Sequence, residues 1–146
     1  MSENYVKLDE LSFDDEFKNA LGEMEQRIFE SYYEFMPPKT DDWRTQAGVP
    51  SMYEEFCDGI GYDTGGKKYL RVVSGAFDEG QTSVWGFIAL SDFKVKNKKK
   101  TGGDFIEFKE GDLLKSAGWS TPALNAPRGN IFNEDYKINW TGPNYL

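Results

Sequence analysis

The apolar residues near the start of the chain recur at steps of three and four, which places them on one face of an amphipathic helix. We therefore predict a long helix over residues 13–36 with Ser12 as its N-cap. The Pro37-Pro38 pair should end it, because proline cannot continue the helical hydrogen-bond ladder. The residues of this apolar face are Phe13, Phe17, Leu21, Met24, Ile28, Tyr32 and Phe35.

A second, shorter helix is predicted from Ser51 to Cys57. Pro50 stands just before it and Gly59 just after it, and these are the positions that proline and glycine favour around a helix. The following run, Gly61 to Gly66, has the composition of a turn. It lacks the Gly-Lys-Ser/Thr ending of a phosphate-binding loop, so we predict no nucleotide site there.

The second half of the chain has the period of β-strands. Residues 68–73 and 82–90 are rich in β-branched and aromatic side chains, and residues 104–108 alternate between polar and apolar. A short further strand is predicted within residues 112–115. Such alternation is typical of antiparallel strands that are half buried.

These elements predict one α+β domain over residues 1–146. The long N-terminal helix and the short helix should pack on a small antiparallel sheet of three to four strands. From Ser116 onward the chain is rich in glycine, proline and asparagine. We expect this irregular, aromatic-rich C-terminal segment to cover or extend the sheet, anchored by Trp119, Phe132, Tyr136, Trp140 and Tyr145.

Charge is distributed unevenly along an acidic chain of net charge −8 and pI of about 4.6. The predicted helical part, residues 1–63, holds 16 acidic and 5 basic side chains, whereas residues 64–146 hold 9 acidic and 12 basic ones. Such a division indicates either a well-solvated helical face or two surfaces with different partners.

The composition excludes several classes of enzyme. The chain has no histidine and one cysteine, Cys57, so catalytic triads that need histidine, Cys/His dyads and ordinary zinc sites are excluded. Adjacent acidic pairs, such as Asp14-Asp15 and Glu54-Glu55, have no spacing that indicates acid–base catalysis or metal binding. We therefore predict a protein that is not an enzyme, with no catalytic residue, metal ligand or cofactor.

The sequence predicts a cytoplasmic protein without a membrane span. No apolar run approaches the length needed to cross a bilayer, and the N-terminus lacks the basic start and apolar stretch of a signal peptide. The lone cysteine fits a reducing compartment. The oligomeric state is left open.

Two groups of residues are candidates for binding an anion or a nucleic acid. The first is a lysine-rich segment, predicted to be a hairpin loop, that could neutralise phosphates or simply be solvated. The second lies in the C-terminal segment, where arginine could pair with phosphate and tryptophan could stack on a base, or where the same residues could form a structural lid. The basic loop contains Lys94, Lys96, Lys98, Lys99 and Lys100, and the second group contains Lys115, Trp119, Arg128 and Asn130.

The C-terminal part also carries a combination of short motifs: Gly-Asp-x-x-Lys at 111–115, Trp119, Pro-Ala at 122–123 and Arg-Gly-Asn-Ile at 128–131. With the two main strands before it, this pattern resembles small proteins of tailed bacteriophages that have no assigned activity. The resemblance covers about residues 66–146. It implies a bacteriophage origin and transfers no catalytic or binding residues.

Three functions remain as hypotheses. The leading one is a non-enzymatic binding or adaptor protein, located in the host cytoplasm, that acts on a host or phage protein through its acidic helical part. The alternatives are a weak, sequence-independent binder of single-stranded nucleic acid and a minor virion component.

Overall fold

The computed structural model describes residues 5–35, 52–77, 82–96, 103–119, 121–124 and 126–143. The described elements are one short 3-10 turn, two α-helices and nine short strands. The helical elements are the 3-10 turn at Leu8–Glu10, α1 at Asp15–Phe35 and α2 at Met52–Asp58. The strands are β1 Tyr5–Val6, β2 Gly61–Asp63, β3 Tyr69–Ser74, β4 Ser83–Ala89, β5 Phe93–Lys96, β6 Phe105–Phe108, β7 Leu113–Leu114, β8 Ile138–Asn139 and β9 Gly142–Pro143.

The predicted long helix is confirmed as α1, which begins two residues later than predicted and is described as far as Phe35. Its N-cap is Asp14 and not Ser12, because the Phe17 backbone N–H donates to Asp14 Oδ1 at 2.8 Å. A carboxylate there satisfies one of the unpaired N–H groups of the first turn. The predicted stop at Pro37-Pro38 lies outside the described residues. The short helix is also confirmed as α2, Met52–Asp58, which continues one residue beyond the predicted end.

The central sheet is antiparallel and has five strands in the order β1-β2-β3-β4-β7. This corrects the predicted three to four strands, and it also corrects the expected turn at 61–66, since residues 61–63 form β2. Tyr62 pairs with Val72 of β3 and is fully buried. Strands β1, β2 and β7 have only two or three residues each. Such strands are too short to show alternation of polar and apolar residues, so alternation could not predict them.

The predicted strand at 104–108 forms, but it does not join the central sheet. It is β6 (Phe105–Phe108), and it pairs with β5 as a separate antiparallel hairpin. Strand β5 occupies the beginning of the predicted lysine loop, so Lys94 and Lys96 lie on a strand and not in a loop. The rings of Phe93 and Phe108 stack with their centroids 4.8 Å apart, and this apolar side of the hairpin packs against Phe87 and Leu114.

The sheet therefore separates two apolar clusters. Helix α1 packs on one face, where Leu21, Met24 and Ile28 meet the buried side chains of β3 and β4. The β5–β6 hairpin covers the other face around Phe87 and Phe108. Each face of a sheet must be buried against another element, and here a helix and a hairpin do so.

The C-terminal segment both extends and covers the sheet, as expected. Residues 128–131 run beside β7, where the Leu113 N–H donates to the Gly129 carbonyl at 2.7 Å. Tyr136 is buried, and the Trp140 ring meets Tyr32 of α1 edge-on at 5.2 Å. Phe132 is 39% exposed but meets the buried Phe17 of α1 edge-on, with ring centroids 5.7 Å apart, so it anchors the segment as expected. Trp119 is 44% exposed and does not enter the core, and Tyr145 lies outside the described residues.

Candidate functional site

Trp119, one of the predicted site residues, lies at the end of a short irregular hairpin whose described residues are 115–119 and 121–123. The Ala117 N–H donates to the Thr121 carbonyl at 2.8 Å, and the Ala123 N–H donates to the Lys115 carbonyl at 2.7 Å. The indole ring is 44% exposed. The hairpin thus presents a large aromatic surface to solvent.

Arg71 of β3 holds this hairpin in place from the sheet. Its buried guanidinium forms an ion pair with Asp63, its register partner on β2. Arg71 Nη1 also donates to the Trp119 carbonyl oxygen at 3.0 Å, and the guanidinium carbon lies 4.9 Å from the indole centroid. Sequence reasoning missed this pair, although an arginine within the apolar run of residues 69–73 was a signal that could have revealed it.

The other predicted residues of this group hold the backbone at separate places. Lys115 Nζ donates to the Pro143 carbonyl oxygen at 3.0 Å, and Arg128 Nε donates to the Ala126 carbonyl oxygen at 3.3 Å. Asn130 Nδ2 donates to the Glu110 carbonyl oxygen at 2.9 Å, while its Oδ1 accepts the Phe132 N–H at 2.8 Å. These contacts fit the structural alternative, in which the side chains fix turns.

The described part of the basic loop is the outer side of the β5–β6 hairpin. Lys94 and Lys96 project from β5 and are exposed, and Phe105, the register partner of Lys96, is 53% exposed. Lys94 Nζ lies 4.9 Å from the Phe105 centroid. Lys98, Lys99 and Lys100 lie outside the described residues.

The solvent side of α1 is strongly acidic. Glu16, Glu23, Glu30 and Glu34 are exposed and follow one another at steps of seven, seven and four, so they share one side of the helix. We call this surface the acidic face. None of the four carboxylates forms an ion pair with another residue in the described ranges.

The two basic side chains of α1 form no ion pair with the acidic face in the described part of the chain, and each donates to a backbone carbonyl oxygen. Arg27 Nη1 donates to the Tyr136 carbonyl oxygen at 2.7 Å, and its guanidinium carbon lies 4.0 Å from the Tyr136 ring centroid. Lys18 Nζ donates to the Asp9 carbonyl oxygen at 3.4 Å. Helix α1 carries six carboxylates and two cationic side chains, so its net charge is negative.

The described residues define an α+β protein with a helical layer and a β-hairpin on opposite faces of a five-stranded antiparallel sheet. Among these residues, no group of three or more His, Cys, Asp or Glu side chains is placed to hold a metal ion. Neither of the described α-helices is long and apolar enough to cross a membrane. No protein-family model matches the chain, and no curated protein and no solved structure matches it either.

Proposed function

We propose that this chain is a non-enzymatic binding protein of bacteriophage origin that docks on a basic surface of a host or phage protein in the host cytoplasm. The acidic face of α1 is the docking surface. The observation that carries the proposal is the row of four exposed glutamates, Glu16, Glu23, Glu30 and Glu34, on a helix whose own Lys18 and Arg27 donate to backbone carbonyl oxygens.

The dimensions of this row suit electrostatic recognition. At 1.5 Å per residue the row is about 27 Å long, and Glu30 and Glu34 are separated by about 6 Å along the axis. That shorter separation is below the Debye length of about 8 Å at physiological ionic strength, so these two charges act together on an approaching cation. Complementary charge of this kind mainly accelerates association and selects the partner.

Reversing the acidic face should abolish capture of the partner. We expect the variant Glu23→Lys/Glu30→Lys/Glu34→Lys to lose the proteins that the unaltered protein retains from nuclease-treated bacterial lysate, identified by mass spectrometry. The matched control Asp104→Lys/Glu110→Lys/Asp135→Lys changes net charge equally at exposed positions outside this face, and it should retain them. Surface substitutions of this kind change stability little, which circular dichroism melting checks.

The acidic-face hypothesis also requires a salt dependence. Capture by the unaltered protein should weaken steadily as salt is raised, because screening reduces the attraction between exposed charges. If the reversed variant retained the same proteins as the control, the acidic face would not be the docking surface.

A second candidate function, binding of single-stranded nucleic acid, is favoured by the outer side of the β5–β6 hairpin. Lys94, Lys96 and the exposed Phe105 lie together there, and this combination suits backbone neutralisation and base stacking. The sequence has three more lysines at 98–100, shortly after Lys96, and they add positive charge to this part of the chain.

We expect weak binding of a fluorescent oligo(dT) at 50 mM salt that disappears as salt is raised, measured by anisotropy. Phe105→Ala should weaken it by about fivefold or more, because stacking contributes about 1–3 kcal/mol per base. Phe77→Ala, which removes an exposed ring elsewhere, is the control. Absence of any anisotropy change at low salt would eliminate this candidate.

A further inference from the structure

A cleft lies beside α1, where the 3-10 turn approaches the end of α2 and the residues that follow it. Its volume is about 540 Å³, within the range of about 300–1,000 Å³ typical of small-molecule sites. Its lining combines apolar side chains with carboxylates. The apolar side chains are Leu8, Phe29 and Ile60, and the carboxylates are Asp9, Glu25 and Asp58.

Glu25 is the carboxylate that the fold orients in this cleft. The fully buried Tyr62 donates its hydroxyl hydrogen bond to Glu25 Oε2 at 2.6 Å, which fixes one carboxylate oxygen. Burial raises the pKa of Glu25, although the hydrogen bond from Tyr62 acts in the opposite direction. Glu25 has no ion-pair partner among the residues that the structure describes. The charges of Asp9 and Lys7 also act on Glu25, Asp9 raising its pKa and Lys7 lowering it. A partly buried carboxylate with a shifted pKa in a cleft is a common mark of a binding site.

Two lysines line the cleft as well, and each keeps its positive charge while contacting an uncharged group of the protein. Lys18 Nζ donates to the Asp9 carbonyl oxygen at 3.4 Å, and Lys7 Nζ lies 5.5 Å from the Phe77 ring centroid. The three carboxylates therefore outnumber the cationic groups around the cleft. When all five groups are ionised, the three carboxylates and two lysines of the lining sum to a charge of −1 beside the apolar side chains.

We propose that this cleft binds a small organic cation, an ammonium group on an aromatic or aliphatic body. The ammonium pairs with Glu25, and the body lies against Phe29 and Ile60. This site is separate from the acidic face, and the proposal does not depend on the proposed function.

Cys57 supplies a direct test, because it lines the same cleft and is the only cysteine of the chain. Its thiolate displaces methanesulfinate from methanethiosulfonate reagents and forms a mixed disulfide. We compare a cationic reagent carrying a trimethylammonium group with an anionic reagent carrying a sulfonate. Burial raises the pKa of the Cys57 thiol, but the ratio of the two rates cancels the thiolate fraction because both reagents attack the same thiolate.

We expect the cationic-to-anionic rate ratio of Cys57 to exceed that of free cysteine by about fivefold or more, as one nearby unit charge predicts even in water. Glu25→Gln should lower the ratio severalfold. This variant keeps an oxygen acceptor for the Tyr62 hydroxyl, so the cleft should persist. Glu23→Gln removes one exposed charge from the same helix and should leave the ratio nearly unchanged. An equal decrease in the two variants would overturn the proposal.

Direct binding is measured with tryptamine and its neutral analogue tryptophol, by following protein amide signals in two-dimensional NMR spectra. We expect tryptamine to cause saturable shifts of signals around Phe29, Cys57 and Ile60, and tryptophol to cause much smaller ones. Asp58→Asn, at an exposed position on the cleft, should weaken tryptamine binding without affecting folding. Equal shifts with both compounds, or unchanged tryptamine binding in Glu25→Gln, would contradict a cation site.

Discussion

Replacing Trp85 with alanine should decrease the free energy of unfolding by about 3–5 kcal/mol, which is the usual cost of deleting a buried aromatic side chain. Trp85 is almost fully buried among the side chains that join α1 to the sheet. Its Nε1 also donates to the Asn139 carbonyl oxygen at 2.9 Å and so ties β8 to the core. Urea unfolding followed by circular dichroism measures the change.

Trp85→Phe separates the two contributions of this residue. It keeps most of the apolar ring and removes the indole N–H, so the loss should be smaller, about 1–2 kcal/mol. Phe77→Ala removes an exposed ring and should change stability by less than about 0.5 kcal/mol. A loss below about 1 kcal/mol for Trp85→Ala would be incompatible with a core position.

The elements that the sequence could predict are those with a long, regular pattern. Helix α1 has an apolar face that repeats over six turns, so its existence and length followed from the spacing alone. Strands β3 and β4 are six and seven residues long and rich in β-branched and aromatic residues. That composition over that length was sufficient to predict both strands. The α+β class follows from these three elements.

The position of Trp85 could not be predicted from such a pattern. Strict alternation along β4 would place Trp85 on the same face as Phe87. In the sheet, however, Gly86 pairs with Val72 and Val84 pairs with Val73, so Trp85 is an extra residue without a partner on β3. This register shift turns its side chain toward α1, and a local irregularity of this kind leaves no period in the sequence.

The close approach of β9 to β4 depends on the absence of a side chain at Gly86. A Cβ atom at Gly86 would lie 2.9 Å from Pro143 Cδ, so only glycine allows Pro143 to pack there. The strands β8 and β9 have two residues each, and their place depends on contacts with β4 and α1 that come from distant parts of the chain. Local sequence carries little information about such contacts.

The candidate sites also depend on contacts between distant parts of the chain, which the sequence does not reveal. Trp119 and the lysines stand out by residue type, and the sequence could single them out. The partners that give a site its geometry are distant along the chain: Arg71 meets the carbonyl of Trp119, and Tyr62 meets Glu25 of α1. Both pairings arise only when the sheet and helix assemble, so they had no signature in a single sequence.

The contacts of Arg71 lead to the second large effect that we expect. Arg71→Met should decrease the free energy of unfolding by about 3 kcal/mol, because it leaves the half-buried Asp63 carboxylate without its cation. It should also release the hairpin that contains Trp119, which Arg71 Nη1 holds through the Trp119 carbonyl oxygen. Amide hydrogen exchange at Ala117 and Ala123 should then become faster.

The double variant Arg71→Met/Asp63→Leu distinguishes the ion pair from the anchoring of the hairpin. Removing both charges eliminates the unpaired carboxylate, so much of the lost stability should return. Exchange at Ala117 should remain fast, since the donor to the Trp119 carbonyl oxygen is still missing. Exchange at Leu113, whose N–H donates to Gly129 beside the central sheet, is the internal control. Slow exchange of Ala117 in both variants would show that the hairpin is held by its own hydrogen bonds. Arg71 would then stabilise only the sheet, through its ion pair with Asp63.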